Sequence, residues 1–176
     1  CGSGTIAIEA TMMMLNRAPG LDRAFIAQTF PQIEKKSWVD AREEARSKII
    51  TDSSFEAYAS DINPEAVSLA TECAKHAGVY GNMKIFEKNA LTIDTMGRRG
   101  TVVCNPPYGE RLFTLKEAEE LYRNMGKHFK SLDKWQIYVI TSHEEFARLY
   151  GRKADKVRKL YNGMIPCYFY QFFKNK

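Results

Sequence analysis

Apolar positions Ile6, Ala10, Met13 and Met14 recur at helical spacing and predict a helix over Ser3–Ala18, capped by Ser3 and ended by Pro19-Gly20. Leu21 to Ser53 is a polar insertion holding Trp38 and a charged string that predicts a short helix over Asp40–Lys48. Ala57–Ser60 then reads as a strand ending in Asp61. Asn63-Pro64-Glu65 opens a helix with proline at its first position; it runs to His76, and Gly78 lies just past its end. Met83–Phe86 is a short strand and Thr101–Cys104 a buried one. An amphipathic pattern predicts a helix over Leu115–Leu132, and QIYVIT (Gln136–Thr141) a fully buried strand. A short helix is expected over His143–Tyr150. Val157–Tyr161 and Tyr168–Phe173 flank Asn162-Gly163 as two antiparallel strands, the second a buried edge or an interface. Strands alternate with helices through the body, which predicts an α/β fold on a mainly parallel sheet.

Composition narrows the class. The 176 residues suffice for one domain with a core, and 44% hydrophobic against 27% charged is a globular balance. No apolar run is long enough to cross a membrane. Cys1, Cys73, Cys104 and Cys167 are scattered without a CxxC pair, which fits neither a zinc site nor a disulfide scaffold and suggests a reduced, cytoplasmic domain. The net charge is +5, but Arg148–Lys176 alone carries eight basic residues against one acid, Asp155. That end of the chain is suited to a polyanion, or is simply a solvated lysine-rich surface.

Three short stretches carry candidate chemistry. Cys1-Gly2-Ser3-Gly4-Thr5 is a glycine loop running into a helix: Gly2 and Gly4 let backbone approach a ligand, and the helix start offers free N–H groups. The same residues would also make a ligand-free tight turn. Such a loop works when a preceding strand delivers it to the carboxyl edge of a sheet, so an upstream first strand is expected that this sequence does not contain. Asp61, at a strand end, suits the two hydroxyls of a ribose, while either it or Asn63 could cap the following helix. Asn105-Pro106-Pro107-Tyr108 follows a strand directly. Its prolines remove two N–H donors and stiffen the chain, leaving the Asn105 amide oxygen and the Pro106 carbonyl as acceptors for an exocyclic base amine, with Tyr108 a face for a flipped base. The alternative there is a proline-stiffened turn with a core tyrosine.

Together, CGSGT, YASDINP and NPPYGER resemble the cofactor loop, ribose acid and amine-binding motif of class I amino-methyltransferases. NPPYGER, closed by Arg111, and KLYNG (Lys159–Gly163) resemble more narrowly the bacterial RlmL-type 23S rRNA guanine-N2 methyltransferases, over almost the whole chain. The resemblance implies a Rossmann-like, doubly wound sheet with an antiparallel terminal strand. It implies S-adenosyl-L-methionine as cofactor, with Cys1, Gly2 and Gly4 at its methionine part, Asp61 on its ribose, Ile62 against its adenine and Asn89-Ala90 at the adenine amino edge. Asn105, Pro106, Pro107 and Tyr108 would receive the target amine. An RNA-binding THUMP domain is expected upstream, and 23S rRNA as partner through that domain and the basic C-terminal segment.

Neither metal nor membrane is called for. Adenine-N6 methylation of DNA, guanine-N2 methylation of tRNA and a non-catalytic RNA- or nucleotide-binding module are the competing functions. His76, His128 and His143 read as ordinary helix residues, Met12–Met14 as a core face and Cys104 as packing, while Trp38 serves either to anchor the insertion or to face RNA.

Overall fold

Glycine backbone, not a side-chain cap, starts the first helix. In the computed structural model, which describes residues 1–109 and 114–173, α1 spans Thr5–Met14, with Gly4 before it in the left-handed region (φ 78) and no side-chain cap. The Ser3 hydroxyl instead meets Thr5 Oγ1 at 2.8 Å. α1 also stops before Pro19: Asn16 takes a left-handed conformation (φ 52) and the Arg17 N–H turns back to the Met12 carbonyl at 2.8 Å. Arg111, Lys174 and Lys176, which the sequence singled out, lie outside the described residues.

The chain divides into two units, Cys1–Glu87 and Lys88–Lys176. In the first, β1 (Ala57–Asp61) and β2 (Met83–Glu87) pair in parallel from Ala57↔Met83 to Asp61↔Glu87, joined by α3 (Pro64–His76). The signals for α3 act as expected: Pro64 sits in its first turn, and Asn63 Oδ1 accepts from the Glu65 N–H at 2.8 Å. Ile8, Met12 and Leu15 bury against Ala59, Ala74, Val79 and Met83, while Met13 and Met14, expected on the core face with Met12, are exposed on the other side of α1. The insertion forms a longer helix than its charges suggested, α2 (Lys35–Ser47), which has no buried residue. Trp38 anchors locally, stacked on Phe25 with ring centroids 5.9 Å apart.

In the second unit, β3 (Gly100–Cys104), α4 (Leu115–Phe129), β4 (Trp135–Thr141), α5 (Phe146–Tyr150), β5 (Lys156–Asn162) and β6 (Ile165–Phe172) follow one another. The sheet order is β3-β4-β6-β5, with β3 and β4 parallel and both remaining pairings antiparallel. Thr114 and Glu117 form a reciprocal capping box that starts α4. One face of the sheet packs on the two helices, gathering Tyr122, Met125, Phe129, Ile137, Val139, Phe146, Tyr170 and Phe172.

Three expectations are corrected here. Neither β3 nor β4 is fully buried: β4 buries alternate residues, and Val103 on β3 is exposed. The helix expected from His143 begins at Phe146. And β6 is an interior strand, hydrogen-bonded on both sides, which accounts for its apolar run; β5 is the edge, exposed along its whole length. Among the described residues no helix is long and apolar enough to cross a membrane.

Candidate active site

The first unit brings the glycine loop onto Asp61. Asp61 Oδ2 accepts from the Cys1 nitrogen at 2.6 Å and the Gly2 N–H at 2.9 Å, while Oδ1 accepts from the Asn63 N–H at 3.0 Å. Partial burial raises the carboxyl pKa, while the hydrogen bonds accepted from the Gly2 and Asn63 N–H groups lower it. Asp61 is therefore an anion at any working pH. A carboxylate offers about four lone-pair sites, so Oδ1 keeps one for a ligand hydroxyl. Gly4 lies against α3: a Cβ there would stand 3.0 Å from Ala70 Cβ on a backbone at φ +78, so any side chain would strain the loop and need a few tenths of an ångström more room. Nothing lies within 4 Å of where a Gly2 Cβ would be, so that side of the loop is open. Ile62 is exposed just past the strand end. A cavity of about 550 Å³ opens elsewhere in this unit, between the end of α1 and α2 (Met13, Arg17, Glu44, Lys48), and includes none of these residues.

The second unit holds the Asn-Pro-Pro-Tyr loop from both faces of its sheet. Behind it, on the helix side, the Tyr122 hydroxyl donates to the Pro107 carbonyl at 2.7 Å and lies 3.2 Å from Thr141 Oγ1. Tyr122 is fully buried and its pKa is raised by that burial, so it remains a donor. Thr141 pairs with Tyr168, so Cys167, the next residue along β6, faces the opposite way. Its thiol reaches the Tyr108 hydroxyl at 4.0 Å, and that hydroxyl donates to Asn105 Oδ1 at 2.6 Å. Burial, with Cys167 and Tyr122 nearby, pushes the Tyr108 pKa up to about 12, which keeps the ring neutral.

Pro107 and Asn105 are thus each fixed by a tyrosine hydroxyl. Asn105 is exposed and keeps a second lone pair on its amide oxygen, and among the described residues no hydrogen bond reaches the Pro106 carbonyl.

Tyr122, Thr141 and Cys167 were not singled out by the sequence. They look like core positions, and nothing in their local pattern marks the loop they hold. Cys104, read as packing, is that: burial pushes its thiol up to about 12, far from a nucleophile. Asn89 caps a 3-10 turn at Ala90–Thr92, its Oδ1 taking the Leu91 N–H at 2.9 Å and keeping a second lone pair. His128 ties down the Ile93 carbonyl at 3.1 Å. His143 packs edge-on to Tyr122, its ring centroid 5.4 Å away.

Tyr122→Phe keeps the ring and leaves the Pro107 carbonyl without its donor. It is expected to cost about 1–2 kcal/mol, read as a lower denaturant midpoint at unchanged slope.

Parallel strands that end in an acid in one unit and in a proline-stiffened amide in the other belong to a methyltransferase domain of the class I, Rossmann-like kind. The family described as "RMKL-like, methyltransferase domain" (UPF0020) matches residues 1–171, and the chain belongs to it. It is 42% identical over 98% of its length to "Putative RNA methyltransferase YpsC" of Bacillus subtilis (strain 168), covering 45% of that protein. It is 35% identical over 96% of its length to "Ribosomal RNA large subunit methyltransferase K/L" of Shewanella sp. (strain ANA-3), covering 24% of that one. The structure described as "Crystal structure of SMU.472, a putative methyltransferase complexed with SAH" superposes on all of this chain with a TM-score of 0.94 at 35% identity, over 47% of its own length. The chain therefore spans less than half the length of these relatives.

Proposed function

We propose that the protein to which this chain belongs transfers a methyl group from S-adenosyl-L-methionine to the exocyclic N2 of a guanine in 23S rRNA, in the cytoplasm. The name of the Shewanella relative supports a ribosomal RNA substrate, and the SAH held by SMU.472 supports the cofactor. The observation that carries the reading is the Asn105–Tyr108 loop: a stiffened turn at a strand end, with the exposed Asn105 amide oxygen keeping a lone pair, a buried Pro106 whose carbonyl takes no hydrogen bond among the described residues, and an aromatic ring beside them. A guanine N2 carries two N–H bonds to match those acceptors. N6 of adenine does as well, so DNA belongs in the test.

The residues of the first unit fit the cofactor. Its ribose diol suits the ionised Asp61, its methionine part the open backbone of Cys1, Gly2 and Gly4, and its adenine the exposed Ile62; Asn89 and Ala90, which belong to the second unit, are assigned to the adenine edge. When bound, the sulfonium supplies an electrophilic methyl group. The chain's part is to prepare the nitrogen. An arylamine lone pair is delocalised into its ring and attacks poorly. Accepting its N–H bonds on Asn105 Oδ1 and the Pro106 carbonyl favours a tetrahedral nitrogen with the lone pair directed outward. Pro107 holds that geometry through Tyr122, and Tyr108 gives the base a surface to stack on. A neutral amide is no general base, so the proton departs to solvent.

The test is methyl transfer from labelled cofactor by the full-length protein, with undermodified 23S rRNA and DNA in parallel. Label in rRNA, recovered as N2-methylguanosine by nucleoside mass spectrometry, is expected; label in DNA alone would replace guanine by adenine as the target. Asp61→Ala is expected to weaken cofactor binding about 10- to 100-fold by calorimetry, since a charged hydrogen-bond acceptor is lost. Because hydrogen bonds from the Gly2 and Asn63 N–H groups lower the pKa of an already acidic carboxyl, its protonation leaves that binding flat between about pH 5 and pH 8. Affinity that fell with a midpoint in that range would show Asp61 in another setting.

A further inference from the structure

β5 is an edge strand rich in cations that, among the described residues, form no ion pair. Its acidic neighbours are already engaged: Asp155 takes Arg152 at 3.1 Å and the Phe173 N–H at 2.7 Å, and Glu145 takes Arg148. Among the described residues Lys156, Arg158 and Lys159 enter no ion pair. The strand is exposed throughout, and Tyr161 keeps 67% of its surface in solvent, with Lys159 Nζ 5.6 Å from its ring centre. Solvated lysines alone would not single out an aromatic ring standing clear of the core beneath a cation.

The register places this strand with respect to the Asn105 loop. β5 pairs antiparallel with β6, and β6 antiparallel with β4, so β5 runs the same way as β3 and ends at the same edge of the sheet. Thr141, Tyr168 and Lys159 form one row across β4, β6 and β5. Cys104 pairs with Val139, so the loop leaves β3 level with Ile140 and Thr141. Tyr161, paired with Pro166, stands two residues past that row. β5 lies three strand spacings from β3, about 14 Å. An extended polyanion that presents a base to Asn105 would lie within a few nucleotides of Tyr161.

We propose that the end of β5 is a second contact for single-stranded RNA, in which Tyr161 stacks on a base flanking the target and Arg158 and Lys159 hold phosphates of the same strand. The proposal rests on the reading that the substrate is RNA. Neighbouring residues on a strand face opposite sides, so Arg158 and Lys159 would take phosphates on either side of the edge, while Lys159 and Tyr161 share one face. A ring stacks on any base, so this contact would add affinity with little sequence preference.

The experiment measures binding of the full-length protein to a short mixed-sequence single-stranded oligoribonucleotide, by fluorescence anisotropy across a salt series, with duplex DNA of the same sequence in parallel. All three side chains are exposed, so their variants are expected to fold, and cofactor calorimetry checks this. Tyr161→Ala should weaken RNA binding about tenfold with an unchanged salt slope, and Tyr161→Phe should restore it, because the ring and not the hydroxyl stacks. Arg158→Ala and Lys159→Ala should each lower the slope of log affinity against log salt by about 0.7. Variants that match the parent protein in affinity and slope overturn the proposal, and so does an equal loss on duplex DNA. A protein that binds RNA in this way and yet methylates none would sink the proposed reaction while leaving the contact in place.

Discussion

Asn105→Ala in the full-length protein is expected to lower kcat for methyl transfer to rRNA by about 10²- to 10³-fold, the scale seen when one preorganised hydrogen-bonding group is removed from a reacting centre. The Asn105 side chain is exposed at the end of β3, and its recorded hydrogen bond is the one accepted from Tyr108 at 2.6 Å, so the fold should lose little. Cofactor affinity should not change, because the groups assigned to the cofactor's ribose and methionine part lie on the first unit, around Asp61. The loss should thus fall on kcat with KM for RNA within a few-fold, since Tyr108, Pro106 and any distant RNA contacts remain. Asn105→Asp is the sharper comparison. It keeps an acceptor oxygen and adds a negative charge beside a nitrogen that turns cationic during transfer. It should retain more activity than alanine, provided the acid stays ionised. Single-turnover transfer of labelled methyl groups decides the matter: equal rates for the parent protein and Asn105→Ala would take Asn105 out of the reaction and leave the loop a structural turn.

What could be read from the chain in advance divides along a physical line. β1, α3 and β2 were placed within about one residue because their signals are local: Pro64 in a first turn, Asn63 as cap, Gly78 past the end. The start of α1 was misplaced because Gly4 sets it through a positive φ, a backbone property that the Ser3 side chain masks. α2 outran its expected bounds for the opposite reason, having no buried face to mark its length. The apolar run Tyr168–Phe173 could be read as buried, yet its place between β4 and β5 is decided by pairing partners far along the chain. The candidate site follows the same rule. Gly2, Gly4, Asp61 and Asn105–Tyr108 were legible because each motif is contiguous. The groups that fix the loop come from outside it: Tyr122 is 15 residues from Pro107, and Cys167 is 59 from Tyr108. Only the folded sheet and its helices bring them together.

Gly126→Ala is expected to be the most damaging small substitution in the second unit. Gly126 lies on the buried side of α4, where a Cβ would stand 1.9 Å from the Tyr150 carbonyl oxygen and 2.7 Å from its carbon. Both obstacles are backbone, so no rotamer change relieves them; α4 and α5 would have to separate by more than 1 Å. That movement would carry Tyr150 off Phe172, with which it stacks at 4.4 Å, and Phe146 off Tyr170, whose ring centre is 4.8 Å away. Alanine gains about 1 kcal/mol over glycine in helix propensity. Forcing a close-packed core apart costs about 3 kcal/mol or more, so the collision dominates. For a domain of this size the net loss corresponds to a melting temperature lower by about 5–10 °C. Lys127→Ala, one position along on the exposed face, provides the control and should melt within a degree or two of the parent protein. The damage should also reach the loop, because Tyr122 projects from the same helix one turn earlier and holds Pro107. Gly126→Ala should therefore lose methyl transfer well below its melting temperature while cofactor binding persists. A variant that melts and turns over like the parent protein would show that the spacing of α4 and α5 is not fixed by this glycine.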